Sequence, residues 1–186
     1  MERRERADAA RNRQAILRAA DDLLATNDLE HVSMERVAAA AGVGKGTVFH
    51  RFGSREGLMR ALFEERVLNH IEAFTTGPPP LGPGAPPVAR LTAFFDAVID
   101  LAQKNVKIMA AFEQASTGRL SDPTYLTWHA HVSGLIAEAA PALDADLIAH
   151  LLFGALHSEL MLQLLRSGET TRLATGLRSM IETLLR

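Results

Sequence analysis

Between Thr76 and Pro87 the chain reads TGPPPLGPGAPP, twelve residues of which six are proline and three glycine. No helix crosses such a segment, because each proline removes a backbone donor and its ring collides with the preceding turn. Prolines at this density favour an extended, semi-rigid connection. The segment is therefore expected to join an N-terminal unit to a C-terminal one, with a long surface insertion as the competing reading. On both sides of it alanine and leucine dominate, and no run of alternating β-branched residues occurs. An all-α fold of about nine helices follows.

The helix boundaries are marked by caps and breakers. Ile16, Ala20, Leu23 and Leu24 share one face of a first helix. Ser33 is placed to cap a short second helix with Met34, Val37, Ala38 and Ala41 inward, ended by Gly42. A third covers about Lys45–Phe52 and closes at Gly53. Ser54 caps a longer helix carrying Leu58, Leu62, Phe63, Val67, Ile71 and Phe74. Beyond the prolines, Val88–Gln103, Ile108–Ala115, a helix begun by Asp122-Pro123 and stopped by Pro141, Asp144–Arg166 and Thr171–Arg186 complete the set. The expected division is residues 1–55, a connecting helix 56–76, the linker 77–87, and a second domain 88–186.

Composition removes several function classes. The chain has no cysteine, so disulfides, thiolate metal sites and cysteine nucleophiles are excluded. Its formal net charge of −2 is not that of a polybasic coat for nucleic acid. Charge is nevertheless uneven: residues 1–70 carry +1 and the remainder −3, with Arg3, Arg4, Arg6, Arg11, Arg13 and Arg18 gathered at the start. Aromatic residues, at 5%, are too few for single-strand stacking platforms. Neither a secretory h-region nor a membrane-length apolar run is present, so a cytoplasmic location is expected.

The segment Ser33–Arg55, SMERVAAAAGVGKGTVFHRFGSR, has the spacing of a helix-turn-helix. Two steeply crossing helices need a small residue at the crossing, supplied by Ala38, and a turn residue that tolerates positive φ, supplied by Gly42. Val43 and Val48 fill the space between the helices. In such a motif the second helix enters the major groove.

The stretch AAAAGVGKGTVFHRFGSREGL resembles the recognition segment of the tetracycline-repressor (TetR) family of bacterial one-component regulators. The likeness is detailed from about Arg13 to Phe63, with Gly42, Lys45-Gly46-Thr47, Phe49-His50, Phe52 and Ser54-Arg55 in one register. It implies an N-terminal three-helix DNA-binding domain and a C-terminal helical domain for ligand binding and dimerisation. By the resemblance, Ser33, Met34, Gly44, Lys45, Gly46, Thr47, Phe49, His50 and Arg55 face DNA. Lys45, Gly46 and Thr47 would occupy the base- and phosphate-facing start of the recognition helix, where open N–H groups suit phosphate. Phe49 stands where the family places a tyrosine, and Gly44 where a serine is common, so a phenolic hydroxyl and a side-chain cap are missing. A core role for Phe49 and Phe52 and a plain solvated role for His50 compete with this reading. Arg3, Arg4 and Arg6 read as a frayed solvated start, with a minor-groove arm as the alternative.

The segment Asp144–Arg166 is apolar nearly all round, and the last helix adds a stripe through Leu173, Leu177, Ile181 and Leu184. A homodimer through these last two helices (about 144–166 and 171–185) is expected, as in the family. Such domains hold a cavity. Candidate lining residues are Phe94, Phe95, Met109, Phe112, Glu113, Tyr125, Trp128, His129, Phe153, His157 and Met161, which suit a largely apolar effector with a few polar anchors. No cofactor and no metal site is expected: His129 and His131 point to different helix faces, His150 and His157 sit two turns apart, and no carboxylate cluster completes a set. The expected function is a ligand-responsive regulator, most simply a repressor released from a palindromic operator by its effector. A helical small-molecule-binding protein or an enzyme using the same cavity is the alternative, although no nucleophile elbow, HExxH or phosphate-cradling loop occurs.

Overall fold

The computed structural model describes residues 2–112, 119–156 and 158–186. Among these residues there are nine α-helices, two short 3-10 turns and no strand. The chain forms two compact units, one ending at Arg66 and the other beginning at Val67.

The first unit contains α1 (Glu2–Thr26), a 3-10 turn (Leu29–His31), α2 (Met34–Ala41), α3 (Lys45–Phe52) and the beginning of α4 (Arg55–Thr76). Its core is the apolar face of α1 (Ile16, Ala20, Leu24) together with Val37, Ala38, Val48, Leu58 and Leu62. The Ser33 hydroxyl accepts the Arg36 N–H at 3.2 Å, and Ser54 accepts that of Gly57 at 3.1 Å, so both serines cap as their positions suggested. Arg13 pairs with Glu65 at 2.6 Å, and Arg66 pairs with Asp21, tying α1 to α4 within the unit. The backbone of Arg3, Arg4 and Arg6 is part of α1.

The second unit holds the rest of α4, then α5 (Pro87–Phe112), a 3-10 turn (Arg119–Ser121), α6 (Pro123–Ala139), α7 (Ala145–Leu156), α8 (Glu159–Arg166) and α9 (Thr170–Leu184). Three expectations are corrected here. The proline-rich segment does not separate the units: they part within α4, and Leu81 packs against the core of the second unit. Gly82 is tucked so close to Gly77 that a Cβ would lie 1.8 Å from its carbonyl oxygen. Next, Val88–Gln103 and the start of Ile108–Ala115 are one helix. No glycine or proline interrupts them, and the Asn105 amide donates back to the Leu101 carbonyl at 2.6 Å instead of capping a new helix. Finally, the apolar run Asp144–Arg166 is two helices, because Ser158 takes an extended conformation and its hydroxyl caps α8 by accepting the Met161 N–H at 3.2 Å.

Asp122 and Pro123 start α6 as expected, the carboxylate accepting the N–H groups of Thr124 and Tyr125 at 2.9 and 3.1 Å. Among the described residues no single helix is long and apolar enough to cross a membrane.

Candidate nucleic-acid interface and ligand site

Helices α2 and α3 meet through a turn that only a small set of residues permits. Gly42 sits at φ 67°, ψ 29°, the left-handed region that glycine enters without strain. The Val43 N–H returns to the Ala38 carbonyl at 3.0 Å, closing α2, and Ala38 is buried at the crossing. Val48 anchors α3 with no exposed surface at all. It is the only buried residue of that helix, so the other side of α3 is free.

Lys45, Gly46, Thr47, Phe49, His50 and Arg51 are all exposed. Phe49 is 40% exposed, which removes the core alternative for that ring. No side chain caps α3, whose N-cap is Gly44, and a Cβ on Gly46 would meet nothing within 4 Å. The helix start therefore presents unobstructed backbone. The Lys45 ammonium lies 2.5 Å from Glu35 and 5.4 Å above the Phe49 ring. Its hydrogen bond to Glu35 holds that carboxyl below its ordinary pKa. Both partners are more than half exposed, and exchange of such a pair for a phosphate contact costs little.

Three residues implied by the family likeness are placed less openly. Met34 is 4% exposed and belongs to the core of the first unit, as its position on the inward face of α2 requires. Ser33 spends its oxygen as the α2 cap, leaving its O–H as a donor. Arg55 is half-buried, and its guanidinium donates to the Leu29 carbonyl at 2.7 Å.

In the second unit, four of the expected lining residues come together: Phe94, Phe95, Trp128 and Phe153, all members of one aromatic cluster centred on Phe94. Met161 is buried in the same core. Tyr125 touches Phe153 with ring centroids 5.5 Å apart, whereas His129 lies at the edge, against His150 at 4.0 Å. Glu113 and His157 fall outside the described residues, as do the side chains of Met109 and Phe112.

Three polar residues that the sequence reading did not include join the cluster. His70 lies 5.1 Å from both Phe94 and Trp128, His131 stacks on Phe74 at 4.3 Å, and Arg90 donates to the Phe74 carbonyl at 3.4 Å. The Nε2 atoms of His70 and His131, Trp128 Nε1 and Arg90 Nε are buried without a hydrogen-bond partner. Orphaned buried polar groups are rare and costly, so four in one region mark a place where a further polar atom is wanted. His70 shares its helix face with Val67 and Phe74, a spacing that reads as ordinary core, and this hid it.

Burial holds both histidines neutral. His70 is pushed down to about 4 by burial and then by His131, and His131 to about 4 by burial and then by Arg90. Their folded pKa values lie below the unfolded one, so between about pH 6.5 and about 4 the unfolded chain binds protons that the folded chain refuses. Stability is thus fully present above that window and is lost as pH falls through it. Thermal melting followed by circular dichroism is expected to show this fall. A His70→Phe/His131→Phe chain is expected to show a flatter profile; equal slopes would refute the assignment.

Residues 16–62 match the family described as bacterial regulatory proteins, tetR family. The HTH-type transcriptional regulator AlkX of Mycobacterium tuberculosis is 34% identical over 64 residues, 33% of this chain and 30% of AlkX. The matched stretch thus spans under a third of that curated relative. Over the whole fold, a TetR transcriptional regulator from Streptomyces coelicolor superposes with a TM-score of 0.63 at 25% identity, covering 94% of this chain and 98% of the other. FadR from Bacillus subtilis, in complex with stearoyl-CoA, superposes with a TM-score of 0.61 at 17% identity, covering 90% and 96%.

Proposed function

From its membership of the TetR family of bacterial regulatory proteins, carried by residues 16–62, we propose that this protein is a ligand-responsive repressor that binds a palindromic operator as a homodimer. The observation that carries this reading is α3, a helix held by the buried Val48 and the half-buried Phe52, with Lys45, Gly46, Thr47, Phe49 and His50 exposed. Thr47 and His50 reach base edges and the sugar-phosphate backbone from that surface, Phe49 makes an apolar contact with a thymine methyl or a sugar, and Gly46 lets the backbone approach the duplex. Lys45 leaves Glu35 for a phosphate. Gly44 brings the open start of the helix to the same strand, and Ser33 adds a hydroxyl donor. Arg55 contributes to phosphate binding through the N–H groups not used on Leu29.

The dimer forms through α7, α8 and α9. Leu147, Leu151, Leu160, Met180 and Leu184 are each more than 40% exposed on these helices, an apolar surface that a second copy would cover. The effector is a largely apolar molecule carrying at least one hydrogen-bond acceptor. Arg90 Nε and Trp128 Nε1 can only donate, and the neutral histidines can donate too. FadR, a fold relative in complex with stearoyl-CoA, holds a ligand whose acyl chain is apolar and whose thioester oxygen is an acceptor, although its coenzyme part is highly charged. Effector binding favours the dimer conformation that fits the operator less well, and so releases DNA.

An electrophoretic shift with DNA from around the protein's own coding region tests the reading. A sequence-specific shift is expected, lost in the Thr47→Ala/His50→Ala chain while its melting temperature holds. No shift at low salt would move the protein to a binding module or an enzyme that uses the second unit alone, and an undiminished shift in the variant would refute the assignment of the contacts to Thr47 and His50.

A further inference from the structure

The sequence offers no pair of histidines at chelating distance within one helix, but the packing of α6 against α7 makes a group that no single helix contains. His129 on α6 meets Asp146 and His150, one turn apart on α7, and one ligand atom from each lies within 4.8 Å of the others. His129 Nε2 is 3.7 Å from one Asp146 carboxylate oxygen, and His150 Nε2 is 3.9 Å from the other. Ligand atoms around a tetrahedral zinc-type ion stand roughly 3.3 Å apart, given metal–ligand bonds of about 2.0–2.1 Å. Bringing one atom from each residue, now within 4.8 Å of the others, to that spacing takes a contraction of up to about 1.5 Å. Asp146, 77% exposed, has the freedom to supply it.

We propose that His129, Asp146 and His150 bind a divalent transition-metal ion of the zinc, cobalt or nickel type, with a fourth position open to water. Two imidazoles with one carboxylate select this borderline class over magnesium or calcium, which favour all-oxygen sites. The two rings lie 4.0 Å apart.

Tyr125 positions the site. Its hydroxyl lies 2.5 Å from His150 Nδ1, and a phenol oxygen can donate or accept there. When Nε2 binds metal, the ring proton sits on Nδ1 and is donated to Tyr125, which fixes the tautomer and the ring orientation. His129 Nε2 makes the parallel change, giving up its 3.2 Å contact with the Asp146 carbonyl. Neither adjustment changes the net number of protons on the rings.

The test uses the purified full chain and Co2+ alone, followed by visible ligand-field absorption. A band saturating at one equivalent and displaced by Zn2+ is expected. His129→Gln and His150→Gln should each weaken binding by well over tenfold, and Tyr125→Phe, which removes only the outer partner, by about tenfold. As a second measurement in the unaltered chain, Zn2+ should protect His129 and His150, but not His31, from diethyl pyrocarbonate. Absence of a Co2+ band, a band unchanged in the His129→Gln/His150→Gln chain, or no protection of these two rings would overturn the site. None of these readouts depends on DNA binding, so their failure is distinguishable from failure of the regulator reading.

Discussion

Truncating Phe94 to alanine is expected to remove about 3–5 kcal/mol of folding stability, the range for deleting a wholly buried aromatic ring. The ring has no exposed surface. Its centroid lies 5.1 Å from His70, 5.4 Å from Phe74 and Phe95, 5.3 Å from His131 and 5.9 Å from Trp128, so five neighbours from three helices lose a packing partner at once. The surrounding rings are large and rigid, and they cannot close over the vacated space as aliphatic chains would. The burden falls on a region that already carries four orphaned polar atoms. Urea unfolding of the two chains measures the loss as a shift in midpoint at unchanged slope. A loss below about 1 kcal/mol would mean that the aromatic cluster is loosely packed.

What the sequence disclosed and what it hid follow the range over which each determinant acts. Caps and turn residues act within a few positions, and Ser33, Gly42, Gly53, Ser54 and Asp122-Pro123 stand where local chemistry puts them. Val48 and Ala38 were legible for the same reason: the motif fixes which residues must be small or inward. Ser158 was not, because a serine inside an apolar run is compatible with a continuous helix, and only the cap it makes to Met161 decides for a break. The proline segment was correctly read as non-helical. Its packing through Leu81 onto the second unit depends on residues far away in the chain.

The two polar groupings of the second unit lie beyond local reasoning altogether. His70 and His131 occupy positions that a hydrophobic stripe leaves ambiguous, and only the joint burial of α4, α5 and α6 shows four polar atoms left unpartnered. His129, Asp146 and His150 come from two helices, so testing histidine spacings along one helix at a time missed their carboxylate. In the first unit the reverse holds: α3 is short, its register is set by one buried residue, and its outward face could be listed before the fold was seen.

Raising the salt concentration from 50 to 200 mM is expected to weaken operator binding by about 10⁴-fold. Each copy offers Lys45, the open start of α3, the Thr47 hydroxyl and the Ser33 hydroxyl at the start of α2 to phosphates, and Arg55 begins α4. Two copies in a dimer then neutralise or contact on the order of eight phosphates, and release of the condensed counterions gives a slope of log K against log salt near −7. The chain as a whole is slightly acidic at −2, so this attraction is local to the first unit, not a property of net charge. Fluorescence anisotropy across a salt series measures the slope. A single copy on DNA would give about half of it and lose only about 10²-fold over the same range. That outcome would retain the α3 contact and refute the dimer. A slope near zero would show that α3 does not meet the phosphate backbone, and the proposed regulator would have no means of holding its operator.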